Sequence, residues 1–239
     1  MKEIPMLSKK IFFLTAGILC LSGFALWGGD TASFVDLGFS SDGGTYMFAQ
    51  YGVRSGTLTP WADVFVVDVA KNEFVSGGKI SYSHDRPVSA GTDGSGAFYR
   101  LISRNTAIAD RHGINFLRQG IPLYIALDTD SGSPQGESIE FRNFERSLSY
   151  KARLVPSTEG SGSGLKSSFY ISLEEINASG RRKTYTVGNP GIKRPLIVTY
   201  KMKKVIVAPE GNSIIFVIEM RKQVSGGYET RYMVETMRW

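Results

Sequence analysis

The sequence has few of the residues from which metal centres and disulfide frameworks are built. Its 239 residues include one cysteine and two histidines, too few for a disulfide framework or for a cluster of Cys and His ligands around a metal ion. The residues A, V, I, L, M, F, W, Y and C make up 42% of the chain and charged residues 21%, a mix that excludes disorder, collagen and a membrane protein with several spans. We therefore expect a globular protein with no metal ion and no cofactor.

Charge is absent from one stretch near the N-terminus. Residues 11–27 carry no charge and follow a segment with three lysines. A positive start, a short apolar core and small residues before a cleavage point are typical of a secretory signal peptide. Gly23 and Ala25 are small at the two positions where the peptidase requires it, so we expect cleavage between Ala25 and Leu26. The mature protein would then be periplasmic or secreted.

Two alternatives to this cleavage stay open. An uncleaved anchor would need about 20 apolar residues, whereas this run has 17 and contains Gly17 and Gly23. A lipoprotein would use Cys20, but Leu19 before it is bulky where a lipid-attachment motif has a small residue. Cleavage after residue 25 leaves 25 basic and 21 acidic residues, and a net charge of +4 gives no reason to expect a nucleic-acid partner.

Alternation with a period of two dominates the rest of the chain. The runs 64–69 and 214–218 are rich in β-branched residues and are flanked by turn-forming residues, which is typical of strands. The other candidate strands are 45–51, 79–83, 123–127, 138–144, 149–154, 168–173, 183–187, 196–200 and 228–237. We predict a mainly β fold, either a sandwich or a small, irregular propeller-like assembly of antiparallel hairpins.

One stretch departs from the alternation. Apolar residues recur at helical spacing within 96–112 and Gly113 follows as a cap, which predicts one amphipathic helix or two short turns covering the sheets. Residues 157–168 are rich in Gly and Ser, which favours a mobile loop between strands, with a domain boundary near residue 160 as the alternative. We expect a single domain over 26–239.

A short pattern occurs near both ends of the mature chain. Asp42-Gly43 and Pro209-Glu210-Gly211 each lie between an apolar strand end and another apolar run. Because Pro fixes φ, Asp bonds nearby amides and Gly adopts positive φ, each motif is predicted to form the turn of a hairpin. These turns resemble the hairpins of TolB-type, WD40-like β-propeller blades, a resemblance that implies a small propeller.

Four segments resemble a bacterial family of predicted secreted proteins of unknown function. They are Gly29-Asp30 at the mature start, 37–43, 48–53 and 231–236 near the C-terminus. The resemblance covers nearly all of 29–239 and implies export and a single domain. It implies no activity and no catalytic residues.

No arrangement of residues indicates a catalytic centre. No serine stands in a G-x-S-x-G elbow, and His84 and Asp85 are sequence neighbours, which would face opposite ways on a strand. Two pairs of acids stand close together in the sequence, Glu137 with Glu140 and Glu174 with Glu175. A glycosidase needs two acids that face one cleft. We expect no catalytic residue and keep a glycan hydrolase with paired carboxylates as the alternative.

Two groups of residues are candidates for binding a partner. The first is basic and consists of Arg181, Arg182 and Lys183 in an apparent turn, with Lys193, Arg194, Lys201, Lys203 and Lys204 further along. These residues could form a patch for acidic headgroups or envelope polymers, although basic residues also protect sheet edges. The second group is Tyr51, Arg54 and Trp61 around a loop, because loop aromatics and arginines anchor partners; core packing of Trp61 is the alternative.

These observations favour an exported, non-enzymatic module of the cell envelope that binds a protein or polymer partner or has a structural role. One alternative is a hydrolase of envelope glycans with paired carboxylates. The other is a structural protein tethered by an uncleaved N-terminal helix, in which case contact with the membrane is confined to that segment.

Overall fold

The computed structural model describes residues 29–127 and 136–239. The predicted signal peptide 1–25 and its cleavage site between Ala25 and Leu26 lie outside these residues. The described chain is mainly β, as predicted, and its strands form three antiparallel sheets. No helix in this part of the chain is long and apolar enough to cross a membrane.

The first sheet, called the N-terminal sheet, has five strands in the order β4-β3-β2-β1-β5. Its strands are β1 (Ser33–Ser40), β2 (Thr45–Val53), β3 (Pro60–Asp68), β4 (Glu73–Ser83) and β5 (Ile114–Asn115). Two helices between β4 and β5, α1 (Ser95–Arg104) and α2 (Thr106–Arg111), cover one face of this sheet. The predicted helix is therefore two helices, because Asn105 leaves the helical conformation with φ −131° and ψ 30°.

The other two sheets come from the second half of the chain. The central sheet has the order β14-β13-β12-β6, and the outer sheet has the order β10-β9-β8-β7 with β11 paired to β9. The central strands are β6 (Ile121–Ile125), β12 (Ile197–Val207), β13 (Ser213–Val224) and β14 (Gly227–Arg238). The outer strands are β7 (Ser138–Asn143), β8 (Leu148–Glu159), β9 (Lys166–Ile176), β10 (Arg182–Val187) and β11 (Arg194–Pro195).

Within the Gly/Ser-rich stretch 157–168, the loop is shorter than the composition predicts. Pairing between β8 and β9 continues as far as Glu159 opposite Lys166. Ser167, which the composition assigned to the loop, is buried and its hydroxyl lies 2.8 Å from the hydroxyl of Tyr200. Backbone pairing and this buried hydroxyl contact stabilise small polar residues within the two strands. Both depend on tertiary structure, so composition does not predict them.

The central sheet is buried on both faces. Ile214, Phe216 and Ile218 of β13 pack in the core shared with the outer sheet, whereas Ile215 and Val217 pack in the core shared with the N-terminal sheet. An uninterrupted apolar run, in place of alternation, is what burial on both faces requires. The layers are therefore helices, N-terminal sheet, central sheet and outer sheet. This stacking is sandwich-like and differs from a ring of propeller blades.

Candidate functional site: a groove along the last strand

A groove of about 800 Å³ runs along β14, the edge strand of the central sheet. Residues 231–238 of β14 line it without a break, the β3–β4 turn at 70–74 forms one wall, and residues between Thr186 and Arg194 form the other. This volume is within the range of small-molecule sites. The groove exists because the edges of all three sheets come near one another beside β14.

Alternation along β14 decides which side chains point to each side of the groove. Tyr232 and Val234 pack toward the N-terminal sheet, while Met233 and Met237 pack toward the outer sheet. Glu235 lies between the two methionines on the same face, since side chains alternate along a strand. A carboxylate is thus placed at the base of an otherwise apolar side of the groove.

Glu235 is only 4% exposed and is held by two polar side chains. The amide nitrogen of Asn72 donates a hydrogen bond to Oε2 of Glu235, and Nη2 of Arg194 lies 3.3 Å from Oε1. Burial raises the pKa of Glu235, and the Asn72 hydrogen bond and the Arg194 charge oppose that rise without cancelling it. The carboxyl therefore takes up a proton more readily than an exposed glutamate does.

Arg194 connects the carboxylate to the wall of the groove. Its guanidinium lies 5.1 Å from the centre of the Phe169 ring, and its Nη1 donates to the carbonyl of Ile192 at 3.3 Å. Gly188 passes over the carboxylate with φ +91°, and a Cβ there would lie 3.1 Å from Cδ of Glu235. Both the conformation and the close approach favour glycine at this position.

Two side-chain amides close the exposed edge of β14. Oε1 of Gln50 accepts the backbone N–H of Tyr232 at 2.8 Å, and Oδ1 of Asn72 accepts that of Thr236 at 2.7 Å. Asn72 has φ +55°, a conformation that asparagine tolerates better than most residues. An edge with two of its N–H groups already bonded is a poorer template for a further strand.

Apolar side chains line the mouth of the groove. Phe74 on one wall and Ile192 on the other are 54% and 51% exposed. Met220 of β13 adds a third half-buried apolar surface. The groove therefore combines apolar walls with a small set of convergent polar groups, which is the usual composition of a ligand site.

The two turn motifs meet in the folded protein, at a distance from the middle of the groove. Asp42 and Gly43 lie in the β1–β2 turn, and Pro209, Glu210 and Gly211 lie in the β12–β13 turn. Ser213 donates its hydroxyl to the Gly43 carbonyl at 2.9 Å, and Asn212 donates to the Asp42 carbonyl at 3.1 Å. These contacts join the N-terminal sheet to the central sheet, so the turns have a structural role in this arrangement.

The second predicted surface is largely packed. Trp61 is 4% exposed and lies under the guanidinium of Arg231, 4.3 Å from the ring centre. The ring of Tyr51 stacks on Phe98 of α1 at 5.8 Å. Arg54 remains exposed. Trp61 cannot anchor a partner from this buried position, because Arg231 of β14 covers its ring.

The predicted basic patch is divided among different elements. Arg181, Arg182 and Lys183 are exposed at the start of β10, an edge strand, and Arg182 pairs with Glu174 at 2.7 Å. Three others pair with separate acids, Lys193 with Glu159, Lys203 with Glu219 and Lys204 with Asp36. The group 181–183 at the start of an edge strand matches the edge-protecting interpretation, whereas Lys203 and Lys204 belong to β12, which lies inside the central sheet.

Of the paired acids, Glu140 and Glu174 lie on the outward face of a sheet, and Glu137 is in a partly buried position. On the outward face of the outer sheet, Glu140 forms an ion pair with Lys151. Glu174 forms one with Arg182 on the same face. Glu137 instead accepts the backbone N–H of Met202 at 2.9 Å. Glu140 and Glu174 line the same pocket on this sheet. Each is already paired with a cation, so the geometry gives no support to a hydrolase with paired carboxylates.

The orientation predicted for His84 and Asp85 is wrong. Nδ1 of His84 lies 3.3 Å from Oδ1 of Asp85, although the two were expected to face opposite ways. Strand β4 ends at Ser83, so strand alternation no longer applies there. Asp85 is 83% exposed at its side chain, and the contact lies outside the groove.

Sequence patterns assign neither Glu235 nor Asn72 to a site, and they assign Arg194 only to the basic patch. A signal for Glu235 was present, because it stands between Met233 and Met237 on one face of an amphipathic strand. No local pattern could pair it with residues more than forty positions away. That pairing depends on how the sheets stack.

The fold and site define an all-β protein with an amphipathic groove along its last strand. The family model described as "Predicted secreted protein (DUF2259)" matches residues 47–238, and the chain belongs to this family of predicted secreted proteins of unknown function. The match includes 48–53 and 231–236, two of the segments on which the resemblance rests. A TolB-type propeller is not shown. Neither a curated protein nor a solved structure matches the chain.

Proposed function

We propose that this protein is an exported, non-enzymatic binding module whose groove along β14 holds an amphiphilic component of the cell envelope. The observation that carries the proposal is the groove of about 800 Å³ with apolar walls around a buried Glu235–Arg194 pair. Sites of this size and composition bind small molecules through apolar contact and use a few polar groups for orientation. Membership of a family of predicted secreted proteins supports the exported part of this proposal.

The burial and hydrogen bonding of the Glu235 carboxyl favour binding over catalysis. A general acid or base must be within reach of the proton that it transfers to or from a substrate. Glu235 is instead bonded to Asn72 and Arg194 and is 4% exposed. The pair is therefore better suited to orienting a ligand than to exchanging protons with it.

A small amphiphile is favoured over an extended peptide by the closed edge of β14. A peptide that adds a strand gains its affinity from main-chain hydrogen bonds. Gln50 and Asn72 already bond the N–H groups of Tyr232 and Thr236. A peptide strand would have to displace both amides first, whereas an apolar chain along the walls would displace neither.

The proposal is tested with an alkyl-chain probe that carries an environment-sensitive fluorophore. The purified wild-type protein should bind it, and the double variant Phe74→Ser/Ile192→Ser should bind it about tenfold more weakly, since two half-exposed apolar side chains lose their contact with the ligand. Leu117→Ser is the matched control, because Leu117 is 94% exposed and does not line the groove. Equal binding by the two variants would place the probe elsewhere and overturn the proposal.

A further inference from the structure

The buried ion pair presents its cationic partner toward the groove. The side chain of Arg194 is 17% exposed, whereas that of Glu235 is 5% exposed. The guanidinium has five N–H donors. Nη2 bonds Glu235, Nη1 bonds the Ile192 carbonyl, and the guanidinium also bonds the Tyr200 side chain. A ligand that approaches this end of the groove therefore meets the cation before the carboxylate.

The charged lining of the groove is mainly basic. Four cations line it, Lys71, Arg194, Arg231 and Arg238, against the two acids Glu73 and Glu235. Three of these cations pair with acids that do not line the groove, namely Asp68, Asp30 and Asp42. Arg194 differs from them because its acid, Glu235, also lines the groove, so its charge is the one best placed for a ligand's charged end.

The apolar walls suit a single flexible chain. Met220, Met233 and Met237 are half-buried along one side of the groove, and Phe74 and Ile192 lie at its mouth. Methionine is unbranched and adapts to irregular shapes. Such a surface fits an unbranched aliphatic chain better than a rigid ring system.

We propose that the ligand is an anionic amphiphile with one aliphatic chain, whose terminal carboxylate, sulfate or phosphate binds at Arg194. This inference rests on the proposed function of the groove. Arg194 gives the site a planar donor group that matches such oxyanions, and the methionine side takes the chain. The neighbouring Glu235 then competes with the ligand's anion for the guanidinium.

The experiment compares ligands that share a chain and differ in headgroup. Hexadecyl sulfate, lysophosphatidate, hexadecanol and hexadecyltrimethylammonium each compete with the fluorescent probe on the wild-type protein, below the concentrations at which they form micelles. Hexadecyl sulfate and lysophosphatidate should displace the probe, hexadecanol about tenfold more weakly, and the cationic amphiphile more weakly still. Comparing the sulfate with the phosphate separates a general oxyanion site from one selective for a phospholipid headgroup, and either result supports the inference.

Variants of the Arg194–Glu235 pair test whether Arg194 causes the preference for anionic headgroups. Arg194→Gln should weaken hexadecyl sulfate about tenfold, while Glu235→Gln, which removes the competing carboxylate, should strengthen it. Arg194→Gln leaves a buried carboxylate unpaired, so Arg194→Gln/Glu235→Gln is made as well and should lose the preference for the anion yet keep the affinity for hexadecanol. Lys193→Gln is the control, since Lys193 is the adjacent cation, pairs with Glu159 at 2.5 Å and does not line the groove.

The outcomes separate this inference from the proposed function. If all four amphiphiles compete equally, the groove binds apolar chains without discriminating between headgroup charges. The inference of an anionic ligand is then overturned, while the proposed function stands. If Lys193→Gln weakens the sulfate as much as Arg194→Gln does, the headgroup binds outside the groove and the inference is again overturned. If no amphiphile and no probe binds, both proposals are overturned.

Discussion

At the scale of residues, Glu235 is a charged group in surroundings that favour its neutral form. Burial is the largest cause of its raised pKa, and the Asn72 amide and Arg194 guanidinium only partly offset it. Tyr200 also lies near enough for the charge on Glu235 to raise the tyrosine's pKa, although burial is the larger cause there too. Retaining such a group in a core lowers stability when it is ionised, which is consistent with its having a role in binding.

The pH dependence of stability follows from the direction of this shift. Glu235 has a higher pKa in the folded state than the ordinary value of 4.5. The stability that its protonated form contributes is fully present below pH 4.5 and is lost as the pH rises from 4.5 through the raised pKa. Glu235→Gln cannot ionise. Relative to the wild type, its free energy of unfolding should therefore be larger (the variant more stable) at neutral pH than near pH 4.5, as measured by urea denaturation.

The control for this measurement is Glu140→Gln. Glu140 is 74% exposed at its side chain and pairs with Lys151 at 3.4 Å, and a solvated pair of this kind contributes about 0–1 kcal/mol. A relative stability of Glu235→Gln that does not change with pH would contradict the raised pKa of Glu235.

At the scale of elements, β14 is an edge strand that the protein closes with side chains. Gln50 reaches it from β2 and Asn72 from the β3–β4 turn. Asn72 serves two purposes, because its oxygen closes the edge while its nitrogen bonds Glu235. The same turn therefore protects the strand and fixes the buried carboxyl.

Removing either amide should cost stability and reopen the edge. Gln50→Ala and Asn72→Gly should each lower the free energy of unfolding by about 1–3 kcal/mol, since each leaves a strand N–H without its acceptor. Glycine is chosen at position 72 because it tolerates the positive φ there. The double variant should also form more dimers by edge pairing, as measured by size-exclusion chromatography.

Gln119→Ala is the matched control for these amide variants. Gln119 is exposed and donates to the Asp36 carbonyl at 3.4 Å, so its loss should change stability by about 0.5 kcal/mol or less. Amide variants as stable as this control would show that Gln50 and Asn72 do not support the edge of β14.

At the scale of the whole molecule, the central sheet joins two cores. One face packs on the outer sheet and the other on the N-terminal sheet. Damage to this sheet should therefore weaken both interfaces together, so that unfolding stays cooperative.

The prediction at this scale concerns Phe216, which is fully buried in β13. Phe216→Ala should lower the free energy of unfolding by about 3–5 kcal/mol, because it leaves a cavity between the central and outer sheets. Urea denaturation followed by far-UV circular dichroism should show an earlier midpoint and a single transition. Phe144→Ala, at a residue 83% exposed, should change stability by about 0.5 kcal/mol or less. Two separate transitions in Phe216→Ala would contradict a shared core.

Features that depend on local order can be predicted from the amino-acid sequence. Alternation, β-branched runs and turn residues identify the mainly β class, most of the strands and the hairpins at Asp42-Gly43 and Pro209-Glu210-Gly211, because side-chain direction and backbone φ are set by near neighbours. The tertiary structure alone decided which strands share a sheet, that Trp61 is buried, and that Asn72, Arg194 and Glu235 meet in one groove. These three residues come from different elements, and only the stacking of the sheets brings them together.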